Sequence, residues 1–420
     1  MTPEIKQRIE QIRRGEVPER YVKTALGLAP ANWKRYTFGD IYTERKEPGD
    51  ENLPLLMVSI HSGVSDGEVD AAELPKQVKR IEDKSQYKKA VSGDLVFNMM
   101  RAWQGAIGTV RTTGMVSPAY IVAEPNDKVN PLFMDYYSRT PQMINQIDRQ
   151  SYGVTDFRKR LYWDSFAPIG CILPPIEEQQ KIATILTTQE KVIKLKEKRL
   201  AEKQRQKKYL MQQLLTGKKR LPGFNGTWEK EKLGKCASMC SGGTPDTKNE
   251  KYYGNDYIWI SIKDMTSVGK YICSSERGLT EAGLLNCSAR LFPKGTILFA
   301  MYASIGECSI VETECCSSQA ILGIEPDSKL NNEFLYYLLS NSKGYFKSFG
   351  QASSQPNLNK GIVQSIVVQI PEIEEQDAIA EVLSAADREI DLLQQDIEQE
   401  KQKKKALMQL LLTGIVRVKT

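Results

Sequence analysis

Apolar residues recur every seven positions over two stretches of the chain, at Leu186, Ile193, Leu200 and Leu214, and again at Leu383, Ile390, Ile397 and Leu411. In each stretch a lysine, Lys207 or Lys404, takes the remaining heptad position. A 3.5-residue apolar repeat predicts a long helix that must bury its seam against another helix. Pro174-Pro175 in front of the first stretch and Gly217 behind it mark where that helix starts and stops. The stretches Ile176 to Arg220 and Ile373 to Arg417 align without a gap at a constant offset of 197, both opening Ile-Glu-Glu-Gln and both reaching Leu-Leu-Thr-Gly, at Gly217 and Gly414. This internal duplication makes each helix the natural partner of the other. At the usual rise, about 40 residues make a rod of about 60 Å, long enough to be a spacer.

Outside the rods the period changes. Leu56-Met-Val-Ser59 and Gly93-Asp-Leu-Val-Phe97 are β-rich runs behind turn residues, and Ile258-Trp-Ile-Ser261 and Gly295-Thr-Ile-Leu-Phe299 answer them further on. Ala119 to Pro125 matches Ala320 to Pro326, while Phe133 to Tyr137 and Phe334 to Tyr337 share a helical rhythm. Trp33 and Trp228 stand at equivalent entrances to the two regions. The expected fold is therefore mixed α+β, with two globular domains in pseudo-two-fold relation, separated by two long antiparallel coiled-coil helices. The boundaries predicted are 1–32 for an N-terminal helical segment docked on the spacer, 33–172 and 218–371 for the globular domains, and 173–217 and 372–420 for the helices with the final tail.

Charge sharpens the pairing. Residues 181–208 carry ten basic and three acidic side chains, against five and seven in 378–405, so the two helices favour each other over self-pairing. The whole chain is mildly basic, with a formal net charge of +6, which permits a polyanionic partner without requiring one. Residues 1–12 are charged and lack an apolar signal region, and nowhere do 18 apolar residues run together, so a soluble, cytoplasmic protein without a membrane partner is expected.

Catalytic constellations are missing from the pattern. There is no Gly-rich phosphate loop, and the single histidine, His61, cannot serve both a base and a metal site. Leu173-Pro-Pro-Ile176 lacks the polar residue and the ring of an adenine methyltransferase motif, and Asp246-x-Lys248 and Asp327-x-Lys329 match a nuclease site only loosely. Seven of the eight cysteines lie between Cys236 and Cys316 at spacings that fit no familiar zinc pattern, so buried reduced thiols are expected and no metal.

Binding remains. After the strand ending at Phe97 the first domain reads Met100-Arg101-Ala-Trp103-Gln104, whereas the second, after Phe299, reads Met301-Tyr302-Ala-Ser304. Near the end of each domain Tyr152, Thr155, Arg158 and Lys159 stand against Gln351, Ser354, Gln355, Asn357 and Lys360. A kept framework with changed polar loops suits recognition: arginine pairs with guanine and Gln or Asn with adenine in the major groove, while lysines hold phosphates. These residues are the candidate DNA contacts.

Taken in order, Thr24-x-Leu-Gly27, Pro30-x-x-Trp33, Pro-Pro-Ile-Glu-Glu-Gln at 174–179, Leu214 to Phe224, Ser241-Gly-Gly-Thr-Pro245, Tyr257 to Ser261 with Asp264-Met265, and the terminal Leu-Leu-Thr-Gly414 make the chain resemble the specificity subunit of a type I restriction-modification system. The resemblance covers nearly the whole chain. It implies two target-recognition domains, each reading one half of a bipartite double-stranded DNA site, and helices that dock two modification subunits. It also implies that adenine methylation, translocation and cleavage reside in modification and restriction subunits, with S-adenosylmethionine, ATP and magnesium bound there and no cofactor in this chain. The unlike loops then imply an asymmetric site. Two other readings fit less of the sequence: a non-catalytic coiled-coil adaptor, and the recognition half of a combined methyltransferase-nuclease.

Overall fold

The two long repeats fold as helices that end on glycines in the left-handed region. Five helices organise the chain: α1 (Pro3–Arg13), α2 (Pro131–Tyr137), α3 (Ile176–Leu214), α4 (Asn332–Asn341) and α5 (Ile373–Leu412). The computed structural model describes residues 3–50, 52–60, 63–65, 86–153, 155, 158–346 and 358–418. Gly217 and Gly414, at φ +67° and +71°, turn the chain back after α3 and α5, a conformation in which a side chain would be strained. At Gly414 a Cβ would also lie 2.6 Å from the Pro30 ring. Among the described residues no helix is long and apolar enough to cross a membrane.

The chain divides into two compact units, residues 1–196 with 396–420, and residues 197–395, so that each long helix contributes to both. Strands and helices are mixed in each unit. In the first, β1 (Tyr42–Arg45), β2 (Leu95–Asn98), β3 (Ile107–Thr109) and β4 (Tyr120–Pro125) form an antiparallel sheet in the order β1-β4-β2-β3. Its core joins Phe38, Phe97, Phe133 and Phe166 to Ile182, Ala183 and Leu186 of α3 and to Leu411 and Leu412 of α5. In the second, β5 (Ala237–Ser241), β6 (Tyr271–Ile272), β7 (Ile297–Ala300), β8 (Cys308–Val311) and β9 (Ile321–Pro326) run in the order β5-β9-β7-β8-β6. Within it β6 and β8 are parallel and the other pairs antiparallel. Phe299, Phe334 and Tyr337 pack there with Leu214, Leu215, Ile379 and Leu383.

The expected strand at Leu56–Ser59 is shorter than its apolar run suggests. Only Val58–Ser59 forms a ladder, because Leu56 gives its amide to Met115 O (2.8 Å) beside a lone parallel bridge from Leu55 to Met115. Its counterpart is longer: Tyr257–Ile260 is a full strand and pairs in parallel with Cys316–Ser317.

The repeated Ile-Glu-Glu-Gln block closes each unit in the same way. In the first unit Glu178, fully buried, accepts from Arg417 Nε and Nη2 at 2.6 and 2.7 Å and from Trp33 Nε1 at 3.3 Å. Beside it Gln179 donates to Lys128 O and Pro174 O and accepts from the Asn130 amide, at 3.0, 2.9 and 2.8 Å. In the second unit Glu375 accepts from Arg220 Nε and Nη2 at 2.5 and 2.6 Å and from Trp228 Nε1 at 3.2 Å. There Gln376 serves Lys329 O, Pro371 O and the Asn331 amide, each at 2.8 Å. The arginines cross over: the tail after α5 clasps the start of α3, and the tail after α3 clasps the start of α5. The segment around α1 meets the same turn in the first unit, through Arg8 to Ile415 O (3.1 Å) and Tyr21 Oη to Gly414 O (2.6 Å).

Along the helices the charge bias becomes contact. In the first unit Lys196 meets Asp396 and Glu400 at 2.8 and 2.9 Å, and Gln189 donates to Glu400 at 2.6 Å. In the second, Arg199 and Lys203 meet Glu389 at 3.5 and 2.8 Å. Rising numbers on α3 meet falling numbers on α5 from Gln189–Glu400 to Lys196–Asp396 and from Arg199–Glu389 to Lys207–Asp387, so the segments are antiparallel in each unit. Leu186, Ile193, Leu214, Leu383, Ile390, Ile397 and Leu411 are buried and Leu200 half-buried. The seam lysines have matched roles. Lys404 lies 3.7 Å from Glu190 and 5.4 Å over the Tyr136 ring, and Lys207 pairs with Asp387 and lies 5.6 Å over the Tyr337 ring.

The clasps and the helix pairing can each be tested. Arg417→Ala leaves a buried carboxylate with one indole N–H, which costs about 3 kcal/mol. Hydrogen exchange measured by mass spectrometry should show protection lost in residues 1–196 and 396–418, whereas Arg220→Ala should act on 197–395; equal loss in both units from either change would contradict the separate clasps. Acid probes the helix pairing. Hydrogen bonds from Lys196 and then Gln189 hold the Glu400 carboxyl down from its ordinary 4.5 to about 2. A depressed carboxyl stabilises the fold fully above pH 4.5 and loses that contribution as pH falls towards about 2. The stability gap between wild type and Glu400→Gln, followed by circular dichroism, should therefore narrow over that interval; a gap independent of pH would refute it.

Candidate nucleic-acid interface

One end of each main sheet carries the loops that differ between the domains. In the first unit β1 and β2 end there and β3 and β4 begin there, so the turns after Asn98 and before Tyr120 are neighbours. The Met99 amide donates to Ala119 O at 3.0 Å, and the Leu161 amide to Met99 O at 2.9 Å, which brings the segment from Tyr152 onwards to the same end. The second unit repeats both bonds, from Met301 N to Ala320 O at 2.9 Å and from Leu358 N to Met301 O at 3.2 Å. These are backbone contacts, so they fix the frame whatever side chains the loops carry.

On the first frame Arg101 precedes a single 3-10 turn, Ala102–Gln104, which closes on Gly105 at φ +103°. Ala102 is buried, which turns Arg101 and Gln104 outward, both exposed. Trp103 is half-buried, its indole N–H donating to Met100 O at 3.1 Å. The Lys159 ammonium lies 4.9 Å over that ring and 2.8 Å from Asp148, so it anchors one loop to the other. Tyr152 is 58% exposed and packs 5.9 Å from Tyr162, itself 44% exposed, while Thr155 and Arg158 face solvent. The structure thus gathers Arg101, Trp103, Gln104, Tyr152 and Lys159 at one surface of two arginine-bearing loops with exposed rings between them. Two other cations of this unit are engaged: Arg45 is paired with Asp94 at 2.7 Å, and Lys88, whose pKa burial lowers, donates to Tyr120 O at 2.8 Å.

On the second frame Tyr302 packs partly against the core, and Ser304 accepts the Glu307 amide on its carbonyl at 3.0 Å. Between them Ala303 adopts φ +55°, a costly conformation for a residue with a side chain. Lys360, exposed, opens the short helix Lys360–Ser365, which Asn359 caps through the Ile362 amide at 2.9 Å. His61, Gln351, Ser354, Gln355 and Asn357 lie outside the described residues.

Sequence patterns alone missed Tyr162, whose exposure follows from its place just past the Leu161 anchor. They also missed the loop Ser317–Ala320, and took Ser241-Gly-Gly-Thr-Pro245 only as a motif of the resemblance, although both border the second frame at the end of β5 and the start of β9. Among the described residues no group of three or more His, Cys, Asp or Glu is placed to hold a metal ion. Burial pushes the thiols of Cys171, Cys315 and Cys316 up to about 12, which keeps them protonated and unreactive.

Comparison with known proteins bears on the family and the fold. The sequence signature described as type I restriction modification DNA specificity domain matches residues 65–204 and again 225–402. The putative type I restriction enzyme MjaX specificity subunit of Methanocaldococcus jannaschii is 25% identical over 436 aligned positions, covering 96% of this chain and 98% of the relative. The MjaIX specificity subunit of the same organism is 35% identical over 163 residues, a match confined to 38% of each chain. In fold, the chain resembles the crystal structure of a type I restriction-modification S subunit from M. genitalium, with TM-score 0.58 at 12% identity over 93% of this chain and 97% of that one.

Proposed function

Because the chain belongs to the family of type I restriction modification DNA specificity domains, matched once in each half, we propose that it is the sequence-recognition subunit of a type I restriction-modification complex and reads an asymmetric, bipartite site on double-stranded DNA. The observation that carries this is the pair of identical backbone frames, Met99–Ala119 with Leu161–Met99 and Met301–Ala320 with Leu358–Met301, bearing unlike side chains. Two such readers with different loops address two different half-sites. In the first domain Arg101, Gln104 and Arg158 are the base-reading candidates, with Tyr152 and Thr155 beside them and with Trp103 and Lys159 holding the loops together. In the second domain Tyr302, Ser304, Gln351, Ser354, Gln355, Asn357 and Lys360 take the corresponding parts. Each good bidentate pair supplies about 1 to 3 kcal/mol of discrimination.

The helices complete the proposal. As a coiled-coil spacer, α3 and α5 set the gap between the half-sites and dock two modification subunits, through which restriction subunits join. The chain itself is non-catalytic in this scheme: adenine methylation with S-adenosylmethionine, and ATP- and magnesium-dependent translocation and cleavage, belong to the partners in the cytoplasm. A coiled-coil adaptor for proteins alone has no cause to prefer one DNA sequence or to show a steep salt slope, whereas a reader held by phosphate contacts does.

The decisive experiment is co-expression with the modification subunit of the same locus, followed by single-molecule sequencing of host DNA for methylated adenine. One bipartite motif with an unspecified centre is the expected result; a stable complex that neither methylates nor binds DNA selectively would refute the proposal. Within it, Arg101→Ala should relax one half of the motif and Gln355→Ala the other. Equal weakening on every sequence would make either residue a phosphate contact. Placing Asp at both Leu200 and Ile397, the latter buried in the helix seam, should loosen the helix pair and disrupt docking of the modification subunit while the two main sheets keep their hydrogen-exchange protection. Unchanged assembly would remove the helices from the docking surface.

A further inference from the structure

The loop after β5 is built around two glycines that no side chain could replace. A Cβ on Gly242 would lie 2.2 Å from Ser317 O and 2.3 Å from Ser317 Oγ, and one on Gly243 would lie 2.2 Å from Ala289 N. With no side chain at either position the backbone runs flat against the strand before β9: Gly243 N donates to Ser317 O at 2.8 Å and Gly242 N to Ile321 O at 3.0 Å. That approach carries Thr244 Oγ1 to 3.4 Å from the Gln319 amide, so the threonine hydroxyl holds the backbone of Gln319. Trp259 braces the loop from behind, its indole N–H donating to Gly243 O at 2.9 Å.

Gln319 is exposed, and it sits one residue before Ala320, whose carbonyl anchors Met301. It is therefore at the same sheet end as the strained turn at Ala303 and the other loops of the second frame. The corresponding residue on the first frame is Pro118, which carries no side-chain donor or acceptor. Exposed Lys248 and Lys251 stand further along the glycine loop, each with its amide donating to an Asx side chain, Asp246 and Asn249.

We propose that Gln319 is a base-reading residue of the second domain alone, its carboxamide addressing an adenine edge in the major groove, with Gly242, Gly243 and Thr244 as positioning residues. The proposal rests on the recognition function proposed for the whole chain. It extends that function to a loop which sequence comparison between the two domains does not single out, because the first domain has proline at this place. A carboxamide offers one donor and one acceptor in the spacing of adenine N7 and N6, and its backbone is fixed on both sides, by Thr244 and by the strand that begins at Ile321.

The test uses the full chain assembled with its modification subunit. Sequencing of methylated adenine first gives the wild-type motif, and duplexes with each base pair substituted in turn then give the discrimination at every position for wild type and Gln319→Ala. The expected result is a loss of roughly tenfold to a hundredfold in discrimination at one A·T pair of one half-site, seen as weaker binding to the best sequence with little change on duplexes already substituted at that pair, the other half staying as it is in wild type. Gln319→Arg should move the preference at that same pair towards guanine. An unaltered motif in Gln319→Ala, or a uniform loss on all duplexes, would overturn the assignment of Gln319 while leaving the recognition function intact. A wild-type complex without any bipartite motif would overturn the function itself.

Discussion

A carboxylate with no exposed surface has to be neutralised where it sits, and Glu178 is such a group. Its charged partner is Arg417, which lies 239 residues further along the chain, at 2.6 and 2.7 Å. Glu375, 2% exposed, is in the same position with respect to Arg220. Removing water from a charge costs several kcal/mol unless a partner and hydrogen bonds replace it, so neither start of a long helix is stable without the tail of the other. The apolar contacts repeat the dependence: the first core includes Leu411 and Leu412, the second Leu214 and Leu215. Each globular unit is thus finished by residues from both copies of the repeat.

The seam lysines add register to that closure. A charged residue in an apolar seam costs stability and is retained where it distinguishes one alignment from its neighbours. Lys404 finds its acid and its ring, Glu190 and Tyr136, only in one register, and the Tyr136 hydroxyl donates to the same Glu190 at 2.7 Å. In the second unit Tyr337 donates to Asp387 at 2.5 Å beneath Lys207. Tyr136 and Tyr337 belong to α2 and α4, which pack on the sheets, so a slip of the helix pair would break contacts with the domain as well as between helices.

Much of this was legible in the sequence because duplication supplied an internal comparison. The rods, their glycine stops and the strands at Leu95–Asn98 and Ile297–Ala300 follow from period and repetition. The repeated Ile-Glu-Glu-Gln and arginine stood out as a pattern, yet their pairing did not, since a contact across 239 or 155 residues leaves no local periodicity. Engagement of candidate loop residues was equally hidden: Lys159 lies between Asp148 and Trp103, and Tyr302 leans on the core, facts of packing that residue type does not reveal. Leu56–Ser59 overstates its strand because an apolar run reports burial, while a ladder also needs a partner backbone in register.

The frame and the readout are separable for a physical reason. Met99 to Ala119, Leu161 to Met99 and their counterparts in the second unit are bonds between backbone groups, which every residue except proline can donate and every residue can accept. Arg101, Gln104 and Arg158 project from those turns into solvent, so exchanging them for other polar residues leaves the sheet end unchanged. Where side-chain identity does enter the frame, as with the paired glycines at 242 and 243, the constraint is steric and local. A scaffold of this kind changes what it recognises at small cost in stability, and two copies joined through their helices change it independently.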